Sequence, residues 1–320
     1  MISITALADL NNVVPWGLWV SIYIFLVGIS AGVLALVAWG NLQGNPHLKK
    51  ITRMGLALAL STLLAGLLSI QIDLGHIERF YKLFTSPNFG SVMGVMVWLY
   101  GVYFAILAIS FLLLKKIIPK PFFMFSFVFA LGLIVLESLL FARPPGRHWH
   151  SLIFPVHFFT SSLVSAISTL LFMAGILWVK DKKSELLLGL SKIALSIIIV
   201  NLIVEIIDIL SFGNAAHLGN WLLLSGNIIV ITLLRKRTNV SITIAGGVGL
   251  IVMLFSKYNG LISAQRLEPF RGFAKSYIEP RLMFSYTPNG FEFLIAIFLI
   301  SLAAGLFYFL YKILPLTREE

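Results

Sequence analysis

The sequence contains no cysteine. Disulfides, thiol catalysis and a cysteine-ligated iron–sulfur cluster are therefore beyond this chain, and any iron–sulfur relay must belong to a partner. Charge is scarce as well. Only 12% of the 320 residues are Asp, Glu, Lys or Arg, against roughly 25% in a soluble domain. Acidic residues are the scarcer sign, 13 against 24 basic ones, which leaves a net charge of +11. The basic residues sit in short clusters between uncharged runs, the pattern of topogenic charge at a lipid surface rather than of a nucleic-acid binder. A transmembrane β-barrel would show period-2 alternation, which is missing. No cleaved signal peptide is expected, since there is no basic n-region and Asp9 precedes the first apolar run.

What the chain does have is apolar length: 59% of its residues are hydrophobic. Each uncharged run can cross an apolar layer about 30 Å thick with roughly 20 helical residues. Nine helices are expected, over approximately 15–40, 51–72, 91–114, 121–142, 152–179, 188–211, 216–234, 240–256 and 291–313. Pro and Gly mark most of the breaks, as in GNPHLKK, KKIIPKP and ARPPGRHWH. The expectation is an all-α polytopic membrane protein, one integral membrane domain over residues 1–320, with a long loop from Lys257 to Gly290.

Nine spans put the termini on opposite sides. Fifteen Lys and Arg then fall on the C-terminal side and nine on the N-terminal side, five of these nine in the long loop. Positive loops stay in the cytoplasm. The N-terminus and the long loop are therefore expected outside a prokaryotic cytoplasmic membrane, and the C-terminus inside. The outside loops are longer and hold Trp, His, Pro and mixed charge, which marks that face for partners and chemistry.

The first span, VPWGLWVSIYIFLVGISAG, carries a GxxxG pair, Gly28 and Gly32, with Ser21, Ser30 and Ala31 close by. Small residues let a second helix approach and gain dispersion contacts. Pro15 suits a first helical turn and Trp16 a membrane interface. From Pro15 to Gly32 the stretch resembles the first helix of the polysulfide reductase membrane-anchor family (NrfD/PsrC type). DLGHIERFYKLFTSPNFGSVMGVMVW, from Asp73, resembles that family's second-to-third helix segment, with His76 and Ile77 where Arg-Pro is frequent and Tyr81 in place of a frequent Trp. LLFARPPGRHWHSLIFPVHFFTSSLVSA, from Leu139, resembles its fourth-to-fifth segment. KYNGLISAQ and SYTPNGFEF look like the longer branch, which includes hydrogenase-2-type and sulfite-reductase-associated membrane subunits.

The resemblance implies two four-helix bundles plus an extra helix. It implies a subunit that handles quinone, menaquinone or ubiquinone, and carries no haem or iron–sulfur cluster of its own. The partner implied is a ferredoxin-like iron–sulfur protein wired to a catalytic subunit in another chain, a molybdopterin enzyme or a nickel–iron hydrogenase. FLVGISAG and FFTSSLVSA share only an aromatic start and small residues, so the two bundles leave no clear sequence repeat.

Quinone chemistry moves two electrons and two protons. It needs a few proton-exchanging groups in an apolar cleft near the docking face. Asp73 ends an apolar run one turn from His76, and a carboxylate beside an imidazole can exchange protons and hold its tautomer. A cap or an ion pair with Arg79 is the structural alternative. Glu137 lies inside the fourth span, two turns from Arg143, where a carboxyl is costly unless paired or protonated. Asn11 and Asn12 precede the helix that contacts the headgroup in the resembled family; an N-cap would also explain them. Trp16, Gly75, Arg79 and His157 complete the quinone-binding candidates, His157 also reading as a satisfied interface residue. In the sixth span Asn201, Glu205 and Asp208 share one helix face. They form either a proton path, with Asn227 and Ser225, or a polar seam between the bundles.

Two other functions compete. A dihaem cytochrome b needs two axial histidine pairs inside helices, and of six histidines only His157 and His217 fall where a span could bury them. A secondary transporter with a proton-coupled site in the sixth helix fits the acids and the glycines, but no inverted repeat is visible.

Overall fold

The computed structural model describes residues 16–73, 77–113, 118–142, 153–178, 184–212, 218–266 and 286–313. Among them, nine helices are long and apolar enough to cross a membrane. They are α1 (Leu18–Gln43), α2 (Thr52–Asp73), α3 (Val92–Leu112), α4 (Lys120–Ala142), α5 (Ile153–Trp178), α6 (Ser184–Phe212), α7 (Leu218–Arg235), α8 (Asn239–Arg266) and α9 (Gly290–Ile313). The expected all-α, nine-span architecture is present. Lipid offers no partner to a backbone N–H or C=O, so each span satisfies its own as a helix.

The junctions are encoded locally. After α1, Gly44 adopts a left-handed φ of 72° and closes on Gly40 O, a conformation glycine reaches without a Cβ penalty. The next residue, Asn45, accepts hydrogen bonds from His47 N (3.0 Å) and Leu48 N (3.2 Å) and caps the short helix Pro46–Lys50.

Helices α1–α4 form one bundle and α5–α8 a second, joined where α1 lies against α5 and α8; α9 packs outside on α2 and α1. Helix α1 is the centre: its most apolar window is entirely buried, so it meets protein on every side and lipid on none. The GxxxG pair makes this fit. A Cβ on Gly32 would stand 2.7 Å from Ala166 Cβ and 2.8 Å from Ser162 O, and one on Gly28 would meet Ser162 Oγ at 2.9 Å. The glycines of the first span therefore seat α5, and through it the second bundle. On its other side, α5 meets Gly246 of α8, where a Cβ would lie 2.6 Å from Phe172 N. Helix α5 stays slim there because its small hydroxyls turn inward. Ser161, Ser162, Ser165 and Thr169 all donate to carbonyls three or four residues back in their own helix.

One expectation is corrected. The segment SKYNG was read as the start of the long loop, but α8 runs on to Arg266 and Lys257 lies inside it, 4% exposed. A lone lysine breaks the apolar run without breaking the helix, because its ammonium finds partners in the interior. Residues 267–285, most of the expected loop, lie outside the described residues.

Candidate functional site

The first bundle does not close on itself. A cleft of about 290 Å³ runs between α1, α2, α3 and α4. Val20, Leu67, Ile70, Met96 and Leu140 form its inner walls. Phe80, Phe84, Met93 and Phe104 also line it and are themselves exposed, so the cleft opens to the outer face of the bundle. Trp16 stands at one end, edge-on to Phe141 with ring centroids 5.3 Å apart. The polar side chains in this wall are few: Gln71, Tyr23 and Tyr100.

The tyrosine pair is the chemical centre of the cleft. Tyr23 and Tyr100 are buried and share a hydrogen bond of 2.5 Å between their hydroxyls. Behind them sits Glu137, fully buried, whose carboxyl faces both hydroxyls and, from the other bundle, the ammonium of Lys257. Neither Glu137 oxygen closes a hydrogen bond of good geometry among the described residues. Lys257 donates to Phe158 O (3.0 Å) and Ser162 Oγ (3.1 Å), and its Nζ lies 3.5 Å from the centre of the Phe158 ring. The Phe158 ring stacks on Phe141 of the cleft wall at 6.3 Å.

The second bundle holds a different interior. Asn227 of α7 donates to Glu205 of α6 (2.8 Å), and Thr160 of α5 donates to Asn201 of α6 (2.9 Å). Glu205, Asp208 and His157 line a cavity of about 40 Å³ together with Asn220 and Asn259. A smaller cavity of about 20 Å³ is lined by Lys257, His157 and Ser161. His157, Phe154, Ser256 and Gly260 border both.

A clasp holds the end of α1 beside the cleft. Tyr286 Oη accepts a hydrogen bond from Leu18 N (2.7 Å) and donates to Glu292 (2.9 Å). Asn289 and Glu292 exchange backbone-to-side-chain hydrogen bonds of 2.8 Å, a capping box at the start of α9. Burial holds the Tyr286 phenol well above the ordinary tyrosine range, so it remains a donor at physiological pH. Gly17 is tied to this arrangement, since a Cβ there would lie 2.5 Å from Tyr286 Oη.

The candidates read from the sequence distribute unevenly over these features. Trp16 lines the cleft and Glu137 backs it. His157 lines the cavities of the second bundle instead. Asn201, Glu205 and Asp208 come together on one side of α6 as expected from their spacing. Asp73, half-buried at the end of α2, is not part of the cleft wall and faces Glu292 of α9. Arg79 is exposed and pairs at 3.7 Å with its neighbour Glu78, not with Asp73. Asn11, Asn12, Gly75, His76, Arg143 and His217 lie outside the described residues.

Sequence reasoning missed Gln71, Tyr23, Tyr100 and Lys257. A tyrosine within a span reads as one more aromatic residue. Lys257 had a signal: two apolar stretches of one 28-residue helix with a single charge between them, matched by the lone carboxyl of the fourth span. Among the described residues no three His, Asp, Glu or Cys side chains group as a metal site.

A family profile described as "Polysulphide reductase, NrfD" matches residues 7–267. The chain is 23% identical to a selenate reductase subunit from Mesobacillus selenatarsenatis, over 98% of this chain and 89% of that one. It is 26% identical to the Hdr-like menaquinol oxidoreductase integral membrane subunit of Archaeoglobus fulgidus, over 52% of this chain and 43% of that one. In fold it resembles a chain of the bd oxidase from Geobacillus thermodenitrificans, with a TM-score of 0.66, 95% of this chain and 98% of that chain covered, and 10% identity. The shared feature there is the helical architecture alone.

Proposed function

Because the chain belongs to the polysulphide reductase NrfD family, we propose that it is the membrane subunit of a quinone-linked respiratory oxidoreductase and binds a quinone or quinol in the first-bundle cleft. The observation that carries this reading is the cleft itself: apolar, open outward, and ending at the hydroxyl pair Tyr23–Tyr100 with Glu137 behind it. Apolar walls suit the ring and tail of a quinone, and a few convergent polar groups orient the headgroup. One ring oxygen hydrogen-bonds the tyrosine pair, and Gln71 is the further polar side chain of the wall that can serve the other. The exposed aromatic lip of Phe80, Phe84 and Phe104 lets the isoprenoid tail lie in lipid. A relative named for menaquinol chemistry, from A. fulgidus, supports the same substrate class.

Electrons pass to or from an iron–sulfur subunit docked on the face where α1 begins, and through it to a catalytic subunit in another chain. The richer loops of that face, and its smaller share of basic residues, support a position on the outside of the cytoplasmic membrane. Asp73, Asn11, Asn12, Gly75, His76 and Arg79 serve the mouth of the site at that face, Asp73 by exchanging protons with water. Asn201, Glu205 and Asp208 carry protons in the second bundle.

The test is direct binding of a short-tailed naphthoquinone to the protein in lipid nanodiscs, read by tryptophan fluorescence. Saturable binding that weakens in the double variant Tyr23→Phe, Tyr100→Phe is expected. A linear, non-saturating response, or no change in the double variant, overturns the assignment of the cleft.

A further inference from the structure

The two interiors are not separate. Tyr23 and Tyr100 touch the cleft on one side and Glu137 on the other; Glu137 faces Lys257 across the boundary between the bundles. Lys257 lines the 20 Å³ cavity, His157 lines that cavity and the next, and Glu205 with Asp208 lines the far one. Cavities of this size hold about one and a few water molecules respectively. Lys257 faces Glu137, and Glu205 faces Asp208 and Asn227. One oxygen of Glu205 lacks a hydrogen-bond partner among the described residues, and Glu137 meets the two tyrosine hydroxyls without a well-aligned hydrogen bond. Poorly filled acceptors on buried carboxyls at both ends of a polar file are costly as structure alone and natural as proton acceptors.

We propose that Glu137 and Lys257 form a proton relay that connects the quinone cleft of the first bundle to the acid cavity of the second. The proposal rests on the quinone reading above. A bound quinol gives its two electrons to the iron–sulfur carriers of the partner. As it does so, its two O–H bonds break one after the other; each proton passes to a tyrosine oxygen while that tyrosine's own proton moves to the Glu137 carboxylate, so the relay runs twice for each quinol. The Lys257 ammonium releases a proton to cavity water, and His157 and Glu205 receive it. The Glu137 O–H then breaks in turn, and through an intervening water its proton forms a new N–H on the resulting Lys257 amine, which restores both carboxylate and ammonium. Quinone reduction runs the same steps backwards. Lysine is required because an ammonium can lend its proton and the amine can take one back; a guanidinium holds the charge but cannot.

The rival is a static tie between bundles, and substitutions separate the two. In the assembled complex in native membranes, Lys257→Arg keeps a positive charge opposite Glu137 but cannot relay. Quinol-linked turnover is expected to fall on the order of 100-fold, with naphthoquinone binding unchanged. Glu137→Gln is expected to lower turnover to a similar extent. Lys257→Arg at the wild-type rate overturns the relay. Should Lys257→Arg fail to assemble, redox-difference infrared spectroscopy of the unmodified complex decides. A carboxylic-acid C=O band that changes on quinone reduction and moves in Glu137→Asp is expected, and its absence overturns the proposal. Failure of the unmodified protein to bind naphthoquinone would instead sink the function proposed above; intact binding with a full-rate Lys257→Arg sinks the relay alone.

Discussion

The two four-helix bundles differ in what they enclose. The first leaves a wide apolar cleft with three polar points in its wall, open outward. The second leaves a small cavity lined by acids, amides and a histidine, and at its boundary with the first lies a smaller one lined by Lys257, His157 and two serines together with Ile24 and Phe141. On the proposed function the difference follows from cargo. A quinone is a bulky apolar molecule that must come and go through lipid, so its site needs room and few polar atoms. A proton needs no room but an unbroken file of exchangeable groups. Where α1 and α5 meet at the centre, the chain uses glycine and serine so that the helices can approach closely.

The comparison can be broken from either side. The largest expected effect tests the proposed proton exchange at Asp73: in Asp73→Asn quinol-linked turnover should drop on the order of 100-fold while the complex still assembles. Normal turnover would retire Asp73. In the second bundle, Glu205→Gln keeps the hydrogen bond to Asn227 but cannot carry a proton. Turnover should fall at least about tenfold with unchanged naphthoquinone affinity, since a proton-carrying side chain commonly contributes 10²–10⁴-fold, roughly. Weaker binding in that variant would mean that the bundles are not divided as described.

On the cleft side, a Cβ on Gly101 meets nothing within 4 Å, and Gly101 lines the cleft. Gly101→Phe therefore fills space without displacing backbone. It should weaken naphthoquinone binding about tenfold, equivalent to about 1.4 kcal/mol. Unchanged affinity by fluorescence titration would place the ring elsewhere. The smallest effect belongs to the clasp. Tyr286→Phe removes the hydrogen bonds to Leu18 N and Glu292. A loss of about 1–2 kcal/mol is expected, visible as a lower thermal midpoint with affinity nearly unchanged.

Much of the fold was legible in the residues. Nine apolar runs became nine helices because a membrane permits few alternatives to a helix, and Asn201, Glu205 and Asp208 share a face because helical spacing alone puts them there. The site was legible only in part. Glu137 stood out as a carboxyl within a span, and Trp16 as an interfacial aromatic. Tyr23 and Tyr100 did not, because their value comes from facing each other across two helices 77 residues apart in sequence. Asp73 was matched with His76 and Arg79, its neighbours in sequence, whereas the folded chain sets it opposite Glu292 of the last helix.

Lys257 marks the boundary between the two kinds of information. Hydropathy alone determines that this is a helical membrane protein, since the transfer cost of each side chain is nearly independent of its neighbours. Whether one lysine ends a span or is buried within it depends on what stands across the interface. Here Glu137, Phe158 O and Ser162 supply that answer from helices more than 90 residues away in sequence, and only the packing of the two bundles brings them within reach.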